Sequence, residues 1–494
     1  MLFNSYIFLY IFLPISLSGF YLAGKKSGEL AILWLVVSSL FFYAWWNPHL
    51  LSLLIGSIVA NYFISQLFSL DGKRRRYIIL VVGILLNLAL LCYFKYANFF
   101  IDNINQIFST SLYLDVIVLP LAISFFTFQQ VTYLVDTYKK ETIEHNFIHY
   151  CLFVTFFPQL IAGPIVHHKE MLSQFTKSLF YKIDFHNISL GLTIFSIGLF
   201  KKVILADGIS IYSTTMFDAA GQGLVLSMFE YWIGAIAYSM QLYFDFSGYS
   251  DMAIGLGLLF GVKLPINFNS PYKAVNIIEF WQRWHMTLSR FLKDYLYIPL
   301  GGNREGNFKK YRNLMITMVL GGLWHGAGWT FILWGGLHGL YLAINHAWHF
   351  IKLRIPFKIN GFSRIMKFAS ISITLLAVLI GWVIFRSENV ATASTILLGM
   401  AGLVDGNTGQ ELFELSKAVL GVTLLVSIAL FLPNTQQFVG YFGANKSKEV
   451  KSMDEGMMVG AWKLTLIWSI FTGMLLSMSI LFLARESEFL YFQF

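Results

Sequence analysis

Cysteine is almost missing from this chain of 494 residues: Cys92 and Cys151 are the only two, both inside apolar stretches. Two thiols in such settings, expected to be buried, give neither a disulfide framework nor the spacing of a metal site. Charge is scarce too, at 12% Asp, Glu, Lys and Arg, against roughly 25% in ordinary globular proteins. No basic residue precedes Lys25. The amino terminus therefore lacks the charged start of a cleavable secretory signal, and the first apolar segment is expected to be retained. Linkers rich in Gly, Ser or Pro are missing, as is any internal repeat. The longest polar stretches, about 166–187 and 434–463, are too short to build a soluble core. These absences exclude a disulfide scaffold, a string of soluble domains and a repeat array. Nothing resembling a nucleic-acid module is present to use the formal net charge of +9.

What is abundant is apolar and aromatic surface. Hydrophobic residues make up 57% of the chain, with 48 Phe and 13 Trp. A bilayer core needs about 20 apolar residues per helical span. Stretches 2–23, 29–46, 50–68, 77–94, 113–134, 147–165, 187–206, 223–243, 312–337, 365–385, 416–432 and 464–484 meet that length or come near it. Shorter apolar pieces near 251–262 and 275–300 are expected to be tilted, broken or re-entrant. The composition thus predicts an all-α polytopic membrane protein with about 10–13 membrane segments, folded as a single membrane-embedded domain over 1–494. Basic residues follow alternate spans: Lys25 and Lys26, then Lys73, Arg74, Arg75 and Arg76, then Lys139 and Lys140. The positive-inside rule places these loops in the cytoplasm and the amino terminus outside.

Roughly 240–340 differs from the rest. Glycine, tryptophan and ionisable residues mix into apolar sequence in DFSGYSDMAIG (245–255), in NFNSPYKAVNIIEFWQRWHMTLSRFLKDYLYIPLGGNR (267–304) and in LGGLWHGAGWTFILWGGLHG (320–339). Irregular backbone and ionisable groups at membrane depth survive where they are buried in protein or line a cavity, so a reaction chamber is expected here. Over 279–296, helical spacing puts Phe280, Trp284, Leu288 and Leu292 on one face, with Trp281, His285 and Ser289 beside them. Arg290 meets Asp294 at i,i+4. This pattern also suits an interfacial helix whose arginines reach headgroups.

The 320–339 stretch holds His325 between Trp324 and Gly326. An imidazole with a reference pKa of about 6.5 is the side chain best suited to take a proton near pH 7. The glycines allow close approach of a flat ligand or a second helix. They equally suit small-residue helix packing around a core histidine. A second intramembrane histidine, His285, also beside a tryptophan, favours chemistry. His338, near the end of the stretch, is expected to be structural.

FWQRWHMTLSRFLKDYLYIPLGGNR followed by YRNLMITMVLGGLWHGAGWTFILWGGLHG closely resembles the membrane-bound O-acyltransferases, the MBOAT family. Within it the chain is most similar to the bacterial alginate O-acetylase (AlgI) branch and the related peptidoglycan and cellulose acetylation proteins. MLFNSYIFLYIFLP, FFPQLIAGPIVHHKEM at 156–171, DFSGYSDMAIG, PINFNSPYKA at 265–274 and the terminal FLYFQF extend the resemblance over nearly the whole chain. It implies a helical fold around a central tunnel, with the catalytic core at 240–340. His325 falls on the histidine of the family's WHG motif, and His285 on that of RWHxxLSRFLRDY. Lys293 stands where that motif carries arginine, keeping the charge.

The resemblance implies O-acetyl transfer from cytoplasmic acetyl-CoA, a substrate and not a bound cofactor, to an extracytoplasmic polysaccharide. Alginate-type exopolysaccharide is the first expectation, with peptidoglycan and cellulose next. Trp284 and Trp324 would line the tunnel. Arg283, Arg290, Lys293, Arg304, Lys309, Lys310 and Arg312 would meet the donor's phosphates, or form only a positive-inside loop. Asp245 and Asp251 would orient an imidazole or cap a broken helix. Tyr491, in the tail 486–494, would relay the acetyl group to a serine-type (SGNH) extracytoplasmic acetyltransferase or another polymer-modification subunit; the tail also suits an aromatic interfacial anchor. The polysaccharide acceptor and membrane lipids complete the expected partners, in a bacterial inner membrane. D-alanyl transfer to teichoic acid and lipidation of a secreted protein use the same chemistry. A transporter with broken helices is the reading from another class.

Overall fold

Small polar residues mark where apolar runs become helices. Ser27 accepts the Leu30 N–H at 3.1 Å, and Asn47 accepts the His49 N–H at 3.0 Å beside Pro48. Asn146 accepts from Ile148 and His149 at 2.9 and 3.3 Å. Each oxygen satisfies a donor with no partner inside its own helix, and proline at the first helical position gives up nothing by lacking an N–H. The computed structural model describes residues 1–69, 72–140, 146–175, 181–304, 306–354, 363–404, 412–441, 462–484 and 490. Among the described residues no strand occurs, and the chain is an all-α polytopic membrane protein. Pro48–Ser69, Lys73–Phe108, Phe185–Gly221 and Arg364–Arg386 are long and apolar enough to cross a bilayer. Phe8–Gly24, Gly28–Ala44, Val390–Met400, Leu415–Phe431 and Leu466–Phe482 are shorter apolar helices.

The chain divides into two compact units. Unit 1 comprises Met1–Leu199, Tyr249–Ile266 and Val439–Glu486; unit 2 comprises Phe200–Gly248, Asn267–Phe438 and Ser487–Phe494.

Unit 1 contains α1 (Leu13–Gly24), α2 (Gly28–Ala44), α3 (Pro48–Gln66), α4 (Lys73–Phe108), α5 (Ile123–Tyr138), α6 (Phe147–Thr155) and nearly all of α7 (Phe185–Phe200). The N-terminal aromatics fill its interior: Phe12 meets Phe157 edge-on at 5.2 Å, and Phe3 stacks on Tyr249 at 4.9 Å. Asn61 of α3 and Asn87 of α4 exchange carboxamide hydrogen bonds at 3.2 and 2.6 Å, a pairing that joins helices without an unsatisfied polar group. At 36 residues, α4 rises about 54 Å, well beyond the roughly 30 Å bilayer core.

Three sequence expectations change here. The stretch 113–134 is not one span: 110–120 is irregular and α5 begins only at Ile123. Side chains of α4 hold this segment extended, Asn105 donating to Leu112 O at 2.8 Å and Asn98 to Asp115 O at 3.2 Å. Cys92, expected to be buried, is exposed on α4, while Cys151 is half-buried. The stretch 223–243 is part of a longer helix, α9, described next.

Unit 2 contains α8 (Asp207–Gly221), the first part of α9 (Met228–Leu259), α10 (Ile277–Arg283), α11 (Met286–Leu292), α12 (Asn307–His325), α13 (Trp329–Arg354), α14 (Ser363–Arg386), α15 (Val390–Met400) and α16 (Leu415–Phe431). Its core is aromatic and continuous from Tyr231 and Tyr238 through Trp284, Trp334 and Trp382 to Leu490. The remainder of α9, with Asp251, lies in unit 1. There Gly191 of α7 and Gly255 of α9 lie backbone to backbone: a Cβ on either would come within 2.7 or 2.6 Å of the other's carbonyl oxygen.

Candidate active site

Both expected histidines lie where a helix breaks. The stretch 279–296 is not one amphipathic helix. It splits into α10 and α11, with Trp284 extended and His285 in the left-handed region at φ 42°, ψ 53°. A β-carbon disfavours that conformation, and such residues persist only where their surroundings over-determine them. The determinant is Asn267. Its carbonyl accepts the Met286 N–H at 2.9 Å. Its side-chain oxygen accepts Thr287 Oγ1 at 3.0 Å and the Thr287 N–H at 3.4 Å, and lies 3.0 Å from His285 Nδ1.

This set fixes a tautomer. The Thr287 main-chain N–H can only donate, so the carboxamide oxygen faces it. His285 Nδ1 must then donate to that same oxygen, leaving Nε2 as the lone-pair nitrogen of the neutral ring. Phe246 closes one side, edge-on at 4.8 Å. The imidazole is 1% exposed, and among the described residues the Asn267 carboxamide and the Phe246 ring edge contact it.

The stretch 312–337, expected as a single span, breaks at the second histidine. His325 is the last residue of α12, Gly326 is extended at φ −163°, ψ 154°, and α13 starts at Trp329. The glycines serve the fold of this hairpin. A Cβ on Gly326 would lie 2.1 Å from the Phe331 ring, one on Gly322 would lie 2.2 Å from Phe331 O, and one on Gly335 would lie 2.4 Å from Met318 O. Among the described residues, Trp324 at 4.9 Å, Trp334 edge-on at 5.3 Å and Phe385 at 5.2 Å wall His325. Trp324 also faces His285, at 6.3 Å between ring centres. One indole therefore stands beside both imidazoles.

His338, expected to be structural, is fully buried. Trp281 Nε1 donates to its Nδ1 at 3.3 Å, which puts the ring proton on Nε2, the opposite tautomer to that of His285. Trp284 packs between Phe280 and Trp382, at 5.7 and 4.9 Å.

The expected phosphate-binding cations separate into two kinds. Arg283 is buried and committed: it pairs with Glu279 at 2.8 Å and donates to Asn269 O at 3.1 Å, tying the 267–270 loop to α10. Lys293 and Arg304 are exposed and Arg290 is half-buried. Asp245 pairs with Lys202 at 2.8 Å. Asp251 is buried in unit 1, whereas the two site histidines belong to unit 2. Tyr491 lies outside the described residues. Among the described residues no three His, Cys, Asp or Glu side chains come together to hold a metal ion. Unit 1 carries cavities of about 720 and 510 Å³, and neither is lined by a site residue expected from the sequence.

Sequence reasoning missed the groups that hold the site: Asn267 and Thr287 around His285, Phe385 and Trp334 around His325, Trp281 on His338, and Lys202 against Asp245. Lys202 carried a signal, as an ammonium inside an apolar run five residues before Asp207. Asn267 carried a weaker one, as a polar residue in PINFNSPYKA.

Helices broken at two histidines beside an aromatic core make up the candidate site of unit 2. The sequence model of the MBOAT, membrane-bound O-acyltransferase family, matches residues 79–385, and the chain belongs to that family. It is an acyltransferase. It is 46% identical over 445 residues to a peptidoglycan O-acetyltransferase of Helicobacter pylori, covering 84% of this chain and 82% of the relative. A probable alginate O-acetylase AlgI of Pseudomonas aeruginosa is 43% identical over 400 residues, covering 80% and 73%. Its counterpart in Pseudomonas putida is 40% identical over 513 aligned positions, covering both chains fully.

Proposed function

We propose that the chain takes acetyl groups from cytoplasmic acetyl-CoA and passes them through the inner membrane for O-acetylation of an extracytoplasmic polysaccharide. The observation that carries the site assignment is the position of Trp324 beside both His285 and His325. Alginate-type exopolysaccharide is the first reading, supported by the relatives named alginate O-acetylase. Peptidoglycan is the second, favoured by the 46% identity to the Helicobacter pylori relative.

In this reading His325 takes the proton of an acceptor hydroxyl as its oxygen attacks the thioester carbonyl carbon. The C–S bond then breaks, and the thiolate leaves and is protonated. General base catalysis of this kind contributes about 10²–10⁴-fold. His285, its ring oriented by the Nδ1 contact with Asn267, is the proposed second residue of the site, holding the hydroxyl nucleophile for attack. Tyr491 is the proposed first acceptor: a phenol of pKa near 10 leaves more readily than a sugar alcohol. Its acetyl ester would pass to a serine of an extracytoplasmic partner. Lys293 and Arg304 are the exposed cations proposed to meet the donor's phosphates. The amino terminus faces outward and the basic loops face the cytoplasm.

The test is transfer of label from acetyl-CoA by the purified protein in detergent. His325→Ala is expected to abolish it, and wild-type turnover in that variant would end the assignment. An active Tyr491→Phe variant would remove the relay alone.

A further inference from the structure

Two basic stretches far apart in sequence meet in unit 1. The cavity of about 510 Å³ draws Lys73 and Arg76 from the start of α4, and Lys139 and Lys140 from just beyond α5, with Phe68 and Tyr138 as its aromatic walls. Among the described residues its lining includes no carboxylate. Arg76 is not a freely solvated surface cation. Its Nη2 donates to Tyr138 O at 2.7 Å, and the guanidinium carbon lies 5.6 Å from the centre of the Tyr138 ring. Its Nε is buried and finds no hydrogen-bond partner. A guanidinium fixed in this way keeps further N–H donors in a planar fork, the geometry that matches a phosphate. Lys73 and Lys140 are exposed and bring two ammonium groups to the same cavity. The start of α4 carries no side-chain cap, and the positive end of its dipole adds to the field there.

The depth of the cavity narrows the choice of ligand. Pro48–Ser69 and Lys73–Phe108 are both long and apolar enough to cross a bilayer, so the turn between them lies at a membrane surface, where headgroups are. Phe68 also belongs to an apolar cluster with Leu80 and Leu134. Next to the lining residues in sequence, Leu67, Tyr77 and Ile78 expose large apolar side chains. Cations and apolar flank together suit a ligand with a phosphate at one end and hydrocarbon at the other. We propose that this cavity binds the headgroup phosphate of an anionic membrane phospholipid, with Arg76, Lys73 and Lys140 at the phosphate and the acyl chains along the apolar ends of α3 and α4. Basic pockets between membrane helices recognise anionic headgroups by this chemistry. A free phosphate would use the same cations and leave the apolar flank unused. The site lies within unit 1 and does not depend on acetyl transfer.

The test uses the full chain in detergent, with native mass spectrometry reading the lipid bound from added phosphatidylglycerol or phosphatidylcholine. The protein is expected to hold one phosphatidylglycerol about tenfold more tightly than phosphatidylcholine. Arg76→Met combined with Lys73→Ser and Lys140→Ser is expected to abolish that preference. Serine at Lys25, Lys26 and Arg364, exposed cations outside this cavity, is expected to leave it unchanged. Equal loss in the two triple variants would mean diffuse surface charge and would overturn the pocket, as would a wild type without the preference. If the variant lacking Arg76 does not fold, Lys73→Glu with Lys140→Glu, both at exposed positions, is expected to weaken phosphatidylglycerol binding by a similar factor. Unchanged binding in that folded variant would equally overturn the pocket. Excess inorganic phosphate is expected to leave the lipid bound; complete displacement would make the ligand a free anion and overturn the lipid assignment.

Discussion

His285 and His325 occupy two helix breaks built on different principles. At His285 the break is a left-handed residue in a chain that would otherwise continue as a helix, and hydrogen bonds hold it: Asn267 engages the ring, Met286 and Thr287 together. At His325 the break is an extended glycine between antiparallel helices, and rings hold it: Trp324, Trp334 and Phe385 leave the imidazole at the end of α12. The first arrangement selects a tautomer and orients one nitrogen. The second surrounds its imidazole with ring faces and edges. An acyl transfer has use for both, since a nucleophile must be aimed and its proton must be taken.

The comparison breaks most sharply at His325. Replacing it with alanine is expected to reduce single-turnover acetyl transfer by about 10²–10⁴-fold, with retention volume and helical content unchanged. Asn267→Leu attacks the other break by freeing the His285 ring, and the expected loss in kcat is about 10–100-fold, the usual effect of removing a partner that orients a functional imidazole. Asn267→Asp keeps an acceptor for Nδ1 and is expected to recover most of that loss. Arg283→Met is expected to act on stability: leaving Glu279 unpaired costs about 3 kcal/mol, read as a lower Tm while the donor's KM stays the same. Arg304→Glu is expected to do the reverse, raising the donor's KM a few-fold with Tm unchanged. Cys92→Ser, on the exposed face of α4, is expected to change neither.

The sequence carried the membrane class and the helical architecture because apolar length and scarce charge act over whole segments. The places where it failed are local. Nothing in FWQRWHMTLSRFL announces a left-handed residue, since the strain at His285 is imposed by Asn267 from outside the motif. The break at Gly326 was masked by tryptophans and leucines that keep the whole stretch apolar. Residues 113–120 read as part of a span because their hydropathy is high, while the asparagines that hold this segment lie on the preceding helix. Lys202 was passed over for a related reason: its partner Asp245 sits 43 residues away, and only the fold brings the two within 2.8 Å. The histidines themselves were legible, because an imidazole is conspicuous in apolar sequence. Their tautomers were not, because a tautomer is set by the neighbour that bonds the other nitrogen.

The claim at the centre is that two imidazoles flanking one indole act on the same reaction. A double-mutant cycle on kcat for acetyl transfer tests it most directly, using His285→Ala, His325→Ala and their combination. Residues that act as a unit are strongly non-additive, so the double variant is expected to be no slower than His325→Ala alone. Losses that multiply across the cycle would contradict a shared site.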